Sequence, residues 1–385
     1  MIEIKEKKEC CGCNACYNIC PKNAIEMKED EKGFRYPVID KQKCIQCDLC
    51  NKVCPIISNK KIENNPVAYA CYCKDEKIRI NSSSGGMFTL IASQIINEGG
   101  IIFGASFDKN FDIKHIKVDK IEDLEKLRGS KYVQSDIGST YKEVRKYLEE
   151  NLKVLFTGTP CQIEGLKCYL QKEYDNLYLQ DFICHGVPSP KVWNIYKKYR
   201  KNSDKEIPKE IEFRNKDNGW KLFNLKIKYT DKSVYKKNQT KDLYMKTFLQ
   251  NLSLRDSCYN CRFKKYNRLS DITLADFWGI DNIMPEMNDN KGTSLLIVNS
   301  EKGQIIFDKI KKDAKYKETN LKEAIKYNPS MIESVKNNPD REKFFNDLDN
   351  TDFEKLAKKY LNKTSLVKRI ISRLKIIVRN VITKK

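Results

Sequence analysis

The sequence predicts a multidomain protein of mixed α+β and α/β class, and three observations lead there. One cysteine pattern occurs twice near the N-terminus of the 385-residue chain. Strand-like and helix-like stretches then alternate from Val67 to Phe156, the texture of a sheet with at least some parallel pairing. Beyond Cys184 the pattern changes to short alternating strands and, from Glu301, to mostly helix. A chain of this length holds two or three domains; the expected boundaries are 1–59, 66–180 and 181–345, followed by a basic helical tail at 346–385.

The first unit rests on Cys10, Cys13, Cys16 and Cys20-Pro21, spaced C-x2-C-x2-C-x3-C-P, and on Cys44, Cys47, Cys50 and Cys54-Pro55, spaced identically. Two-residue gaps let the backbone curl around a cube while three thiolates point inward, and the proline turns the chain away from helix. The run is similar to that of bacterial two-cluster ferredoxins, where the fourth cysteine of each run serves the other cluster. That resemblance assigns Cys10, Cys13, Cys16 and Cys54 to one [4Fe–4S] cluster and Cys44, Cys47, Cys50 and Cys20 to the other. Zinc needs only four ligands, usually as two separated pairs, and a disulfide framework needs an oxidising compartment, for which no export signal is recognisable. Cys11 lies outside the pattern and reads as a spare thiol.

Gly33 to Asp40 suggests a short hairpin, and the polar stretch 59–66 a linker. Val67–Tyr72 alternates like a strand. Ser84-Gly85-Gly86 then opens a helix from Met87 to near Gly99. Strands are expected at Ile101–Ala105, around His115–Val118 and at Val154–Phe156, with helices from Ile121 and over Thr140–Glu150. Glu210 to Tyr235 reads as antiparallel strands, and Thr293–Asn299 as another strand. No apolar run is long enough to span a membrane. From Ser365, nine residues from Leu366 to Ile382 share a helical face opposite lysines and arginines with no acidic residue. That suits an in-plane helix on anionic lipid, and equally a terminal helix docked on protein.

The formal charge of +21 suits nucleic acid, an anionic membrane or an acidic partner, and part of it offsets anionic cofactors. Sixteen cysteines without an export signal argue for a reducing cytoplasm and metal ligation. Cys71, Cys73 and Cys168 read as small buried thiols. Cys161, Cys184 and the chelating pair Cys258-x2-Cys261 make four thiolates, enough for a third cube, although a structural zinc fits the spacing nearly as well. Ser84-Gly85-Gly86 before a helix, with Arg128, Lys131 and Tyr132, offers a pyrophosphate site or else a serine-capped helix beside a basic loop. A G-x-G-x-x-G turn is absent from the sequence, so a Rossmann site is not supported. Of the two histidines, His115 reads as structural, and His185, next to Cys184, as a group that tunes a cluster. No side chain stands out as catalytic.

Gly158-Thr159-Pro160-Cys161-Gln162, Cys184-His185-Gly186-Val187-Pro188, Cys258-Tyr-Asn-Cys261 and Ala275-Asp276-Phe277-Trp278-Gly279 occur in that order. With Ser84-Gly85-Gly86-Met87-Phe88-Thr89 and Gly129-Ser130-Lys131-Tyr132, they resemble the beta-subunit family of coenzyme F420-reducing hydrogenases and dehydrogenases from about residue 66 to 300. The fused ferredoxin unit is similar to that of longer members, some found with bacterial polysaccharide genes. The resemblance implies FAD in an α/β domain at 66–180, with Ser84, Gly85, Gly86, Thr89, Arg128, Ser130, Lys131 and Tyr132 as contacts. It implies a third [4Fe–4S] cluster on Cys161, Cys184, Cys258 and Cys261 in a mixed C-terminal domain, and hydride or two-electron transfer to an organic acceptor such as coenzyme F420. A redox partner protein follows, either a ferredoxin or a hydrogenase or dehydrogenase subunit. The expected location is cytoplasmic, with peripheral membrane contact left open by the tail. One alternative is an electron-input subunit feeding a separate catalytic partner. The other, a zinc-stabilised nucleic-acid module, lacks a base-reading motif and leaves the ferredoxin runs unexplained.

Overall fold

The computed structural model describes residues 2–58, 62–201 and 207–361. The amphipathic stretch expected from Ser365 lies outside the described residues.

The cysteine-rich unit contains an antiparallel hairpin of β1 (Ile25–Glu29) and β2 (Arg35–Ile39), with Gly33 in its turn at φ +81. A Cβ at Gly33 would lie 2.2 Å from Lys191 Cβ, so the turn sits directly on the helix Pro190–Arg200. Ser189 Oγ donates to Lys32 O at 2.5 Å there. Short helices Ala15–Ile19 and Leu49–Lys52 carry Cys16 and Cys50.

The body is built on a large sheet. Its strands are β3 (Val67–Cys73), β4 (Ile101–Phe107), β5 (Ile113–Val118), β6 (Val154–Thr157) and β7 (Leu177–Phe182). After a separate antiparallel sheet of β8 (Pro208–Asn215), β9 (Asn224–Tyr229) and β10 (Val234–Asn238), the chain returns with β11 (Ile272–Asp276), β12 (Ser294–Val298) and β13 (Ala314–Thr319). The spatial order is β13-β3-β12-β11-β7-β6-β4-β5. Strands β4, β6, β7 and β11 pair in parallel, and the flanking pairs are antiparallel. A parallel centre must be covered on both faces. Ile102 and Leu155 pack under the helices Met87–Asn97 and Glu301–Ile310. On the opposite face Phe103, Val154 and Phe156 pack under Thr140–Glu149 and Pro160–Leu170.

The segment after Glu301 departs from the helical expectation at β13, an edge strand on β3. Its Lys-Tyr-Lys-Glu run is exposed on both faces, so it lacks the half-buried alternation that marks a strand in sequence. The helix Phe353–Tyr360 closes the aromatic core around Trp193, Tyr196 and Tyr244. Among the described residues no helix is long and apolar enough to cross a membrane.

The cysteine unit docks on the body through close contacts. Gly165, in the helix Pro160–Leu170, lets Cys13 approach so nearly that a Cβ would lie 2.8 Å from Cys13 Cβ. Asn18 Nδ2 donates to Gly138 O at 2.8 Å, and Arg255 Nε to Cys10 O at 2.8 Å.

Candidate redox site

The two cysteine runs fold into matching cups. In each, the residues either side of the second cysteine take left-handed backbone: Gly12 and Asn14 in the first, Gln46 and Asp48 in the second. Glycine and short amide or acid side chains tolerate that conformation, and it curls the chain around the thiols. Cys10, Cys13, Cys16 and Cys54 line one cavity; Cys20, Cys44, Cys47 and Cys50 line another. Each cavity joins three thiols of one run to the fourth of the other. Backbone N–H groups already point at sulfur, Ile2 N to Cys50 Sγ at 3.2 Å and Ala24 N to Cys20 Sγ at 3.2 Å. Burial, then repulsion from Cys10 and Cys54, pushes the Cys16 thiol well up. Such a cup holds thiolates only when metal supplies positive charge.

The downstream cysteines meet at the carboxyl ends of parallel strands, where open α/β sheets place their sites. Cys161 lies in the first turn of the helix that follows β6, capped by Thr159 with Gln162 closing the capping box. Proline at the first helical position suits the cap, while the neighbouring Cys11 thiol, then burial, pushes the Cys161 thiol up. Thr159 Oγ1 and Cys161 Sγ are 3.0 Å apart. Cys184 follows the end of β7, and Cys258 and Cys261 sit in and just after the 3-10 turn Asp256–Asn260. All four line one cavity with Cys11, His185, Arg255 and Lys264. Burial pushes the Cys258 thiol up to about 12; burial, then the charges of Cys258 and Cys161, raises Cys184. Val187 N reaches Cys258 Sγ at 3.4 Å. Sulfurs around one tetrahedral zinc stand about 3.8 Å apart, and among the described residues no three His, Cys, Asp or Glu close on a single ion. An all-thiolate set with one inward N–H group and two cations beside it fits a cube, whose thiolates each meet a different iron.

Cys11, the spare thiol of the sequence, is buried and lines both the first ferredoxin cavity and the downstream one. His115 is a buried strand residue, its Nε2 3.0 Å from Thr157 O, and burial pushes its pKa down to about 4. The His185 ring meets Asn251 Oδ1 at 2.7 Å through Nε2. Cys71 and Cys73 are buried.

The residues expected to meet a flavin lie in one linked group. Ser83 Oγ accepts from Ser130 N at 2.7 Å, and Thr89 Oγ1 from Arg128 Nε at 3.1 Å. Ser84 Oγ donates to Thr293 O, and Gly85 N to Ser294 Oγ at 2.9 Å, which pins the loop to β12. A Cβ at Gly85 would lie 2.5 Å from Cys71 O, so only glycine fits. Gly86 at φ +88 begins the helix, and no side chain caps it, unlike the serine-capped alternative. Lys131 Nζ meets the carbonyls of Leu127, Arg128 and Gly129, and burial lowers its pKa to about 7. Tyr132 stacks on Phe248 with ring centroids 4.8 Å apart, so its ring is already engaged in the core.

Sequence reasoning missed the far wall of this group. Arg214, at the end of β8, donates to Tyr132 Oη at 3.1 Å and to Ser83 O at 3.3 Å, and pairs with Asp276 at 2.6 Å. Lys216 Nζ meets the carbonyls of Arg79, Ser84 and Lys291, and burial lowers its pKa to about 7. Asp276 also accepts from Trp220 Nε1 at 2.7 Å, and Trp220 stacks on Trp278. Arg214 and Lys216 come from a different sheet, and the one sequence signal nearby was the Ala275–Gly279 motif.

Twin thiol cups docked on a sheet whose carboxyl-end turns gather four further cysteines define an iron–sulfur electron-transfer protein. Family models agree: a 4Fe-4S dicluster domain matches residues 9–56, and the N-terminal and C-terminal parts of the coenzyme F420 hydrogenase/dehydrogenase beta subunit match 68–142 and 151–324. The chain belongs to that beta-subunit family of oxidoreductases. It is 23% identical over 193 residues to a subunit of the F(420)H(2) dehydrogenase of Methanosarcina mazei, covering 46% of this chain and 54% of the relative. The match thus spans about half the length of that curated relative. A chain of the F420-reducing [NiFe] hydrogenase complex from Methanosarcina barkeri aligns with TM-score 0.46 and 17% identity, over 71% of this chain and 93% of that one.

Proposed function

We propose that this protein is an iron–sulfur flavoprotein oxidoreductase with three [4Fe–4S] clusters and one FAD, exchanging electrons between a protein partner and an organic acceptor. The observation that carries the reading is the downstream cavity, where four thiols from separated turns share walls with the first ferredoxin cup through Cys11. When bound, the cubes supply one-electron storage and the flavin converts single electrons to hydride. Cys10, Cys13, Cys16 and Cys54, then Cys20, Cys44, Cys47 and Cys50, then Cys161, Cys184, Cys258 and Cys261 are the ligand sets. The N–H groups of Ile2, Ala24 and Val187 orient three of the sulfurs.

Around the Ser84-Gly85-Gly86 loop, Arg128, Lys131, Arg214 and Lys216 supply positive charge for a pyrophosphate, and the helix start, which no side chain caps, adds its positive dipole end. Among the described residues, Lys131 and Lys216 each hydrogen-bond to three backbone carbonyls, and Asp276 and Asp289 offset part of the Lys216 charge. Coenzyme F420, on which the relative from Methanosarcina mazei acts by its name, is one candidate acceptor. Serving as electron-input subunit for a separate catalytic chain is the second reading, favoured by that relative's being one subunit of a dehydrogenase.

The test is anaerobic purification with iron, sulfide and flavin quantified per chain, followed by oxidation of reduced ferredoxin with added deazaflavin. Three cubes and one FAD with turnover are expected. Zinc in place of iron, or no flavin on denaturation, defeats the proposal. Full cofactors without turnover select the input-subunit reading.

A further inference from the structure

Five arginines are buried among the described residues: Arg79, Arg214, Arg255, Arg268 and Arg341. Four of them pair with a carboxylate, respectively Asp289, Asp276, Asp181 and, for Arg341, Asp256. Arg255 is the most buried of the five, with no exposed surface, and no carboxylate among the described residues pairs with it. Its guanidinium donates to three neutral acceptors: Cys10 O at 2.8 Å, Gln134 Oε1 at 3.1 Å and Arg35 O at 3.0 Å. Its remaining neighbours are the faces of Tyr36 and Phe34, with ring centroids at 4.2 and 5.5 Å. An arginine does not shed its proton, and a buried charge without a counter-charge is strongly unfavourable. The other four buried arginines follow that rule, which makes the fifth informative.

The missing counter-charge has a direction. Arg255 lines the downstream cavity, three residues before Cys258. Its Nε holds the carbonyl of Cys10, the first thiol of the neighbouring cup. Its positive charge acts on Cys10, Cys11 and Cys258, and on Cys161, which lines the same cavity. It therefore stands between two thiol sets, each of which carries net negative charge once it holds a cube. Arg255 lines neither ferredoxin cavity; its hydrogen bond to Cys10 O ties it to the first cup, and no such bond ties it to Cys20, Cys44, Cys47 or Cys50 of the outer one among the described residues.

We infer that Arg255 is a shared counter-cation for the first ferredoxin cube and the downstream cube, holding both at higher reduction potential. This inference rests on the three-cube reading above. A cube gains one negative charge on reduction, so a fixed cation beside it favours the reduced form, and net charge is a recognised lever on cluster potential. One cation beside two cubes moves both potentials in the same direction. Arg255 is a positioning and tuning residue; no bond to iron is assigned to it.

The test is EPR-monitored reductive titration of the anaerobically loaded full chain, in native, Arg255→Gln and Arg255→Lys forms, with iron and sulfide counted first. A native chain without cubes defeats the three-cube reading itself. With cubes present, Arg255→Gln is expected to lower the first and downstream potentials together, by about tenfold in oxidised-to-reduced ratio at fixed ambient potential, or about 59 mV for one electron. The outer cube serves as an internal reference and stays put. Arg255→Lys keeps the charge and holds both potentials near native. Loaded Arg255→Gln with unchanged potentials, or with all three cubes shifted alike, overturns the inference. If Arg255→Gln does not load, Arg255→Lys decides: native potentials uphold the role of charge, and lowered ones overturn it.

Discussion

Replacing Gly165 by alanine tests how closely the cysteine unit sits on the body. Gly165 lies within the helix Pro160–Leu170, where alanine is favoured over glycine by about 1 kcal/mol on helix propensity alone. At this position the new methyl would lie 2.8 Å from Cys13 Cβ, 2.9 Å from Cys13 Sγ and 3.1 Å from Tyr141 Oη. Carbon contacts settle near 3.5–4.0 Å, so a Cys13 atom must retreat by roughly 1 Å, and overpacking of this kind costs about 1–3 kcal/mol. Cys13 is short, and as the proposed ligand of the first cube it would be tied to iron in the loaded protein, so rotation would offer no escape. Overpacking therefore outweighs propensity, and Gly165→Ala should be about 0–2 kcal/mol less stable with its first cube poorly loaded. Urea unfolding of the anaerobic protein and iron per chain give both readings. A variant about 1 kcal/mol more stable with full iron would show propensity acting alone, and would refute the close docking.

Three further outcomes follow from the same geometry. Cys258→Ser should lower iron from about 12 to about 8 atoms per chain, while Cys11→Ser leaves it unchanged; iron loss in Cys11→Ser would make Cys11 a ligand. Asp276→Asn strands the buried guanidinium of Arg214, a change that costs about 3–5 kcal/mol. It is read from the denaturation midpoint, and a loss under 1 kcal/mol would contradict the pairing. Without flavin, burial holds Lys131 and Lys216 at about 7, below the ordinary lysine value. As the pH rises past 7 each gives up its proton in a growing fraction of molecules, so binding an anionic pyrophosphate there must take up protons. FAD affinity should fall from pH 7 to pH 9, by up to about tenfold per pH unit for each lysine. Quenching of flavin fluorescence measures it, and a flat profile would remove both lysines from the phosphate site.

The sequence alone determined the features that depend on local spacing. The repeated C-x2-C-x2-C-x3-C-P runs show in their spacing that a cube is held there, because a cube demands thiols at short fixed intervals, while the exchange of the fourth cysteines is implied by the resemblance to two-cluster ferredoxins. The parallel centre was legible in the runs at Ile101–Phe103 and Val154–Phe156, which are apolar because helices cover both faces of the sheet. Tertiary structure decided everything that joins distant segments. Cys161, Cys184 and the Cys258/Cys261 pair meet only because β6 and β7 lie side by side and end at the same edge. Arg214 and Lys216 reach the Ser84-Gly85-Gly86 loop from another sheet, and no periodicity in either stretch records the approach. The exposed strand β13 and the lack, among the described residues, of a carboxylate paired with Arg255 were equally hidden. Exposure on both faces erases a strand's alternation, and the counter-charge around a buried cation is a property of the three-dimensional neighbourhood.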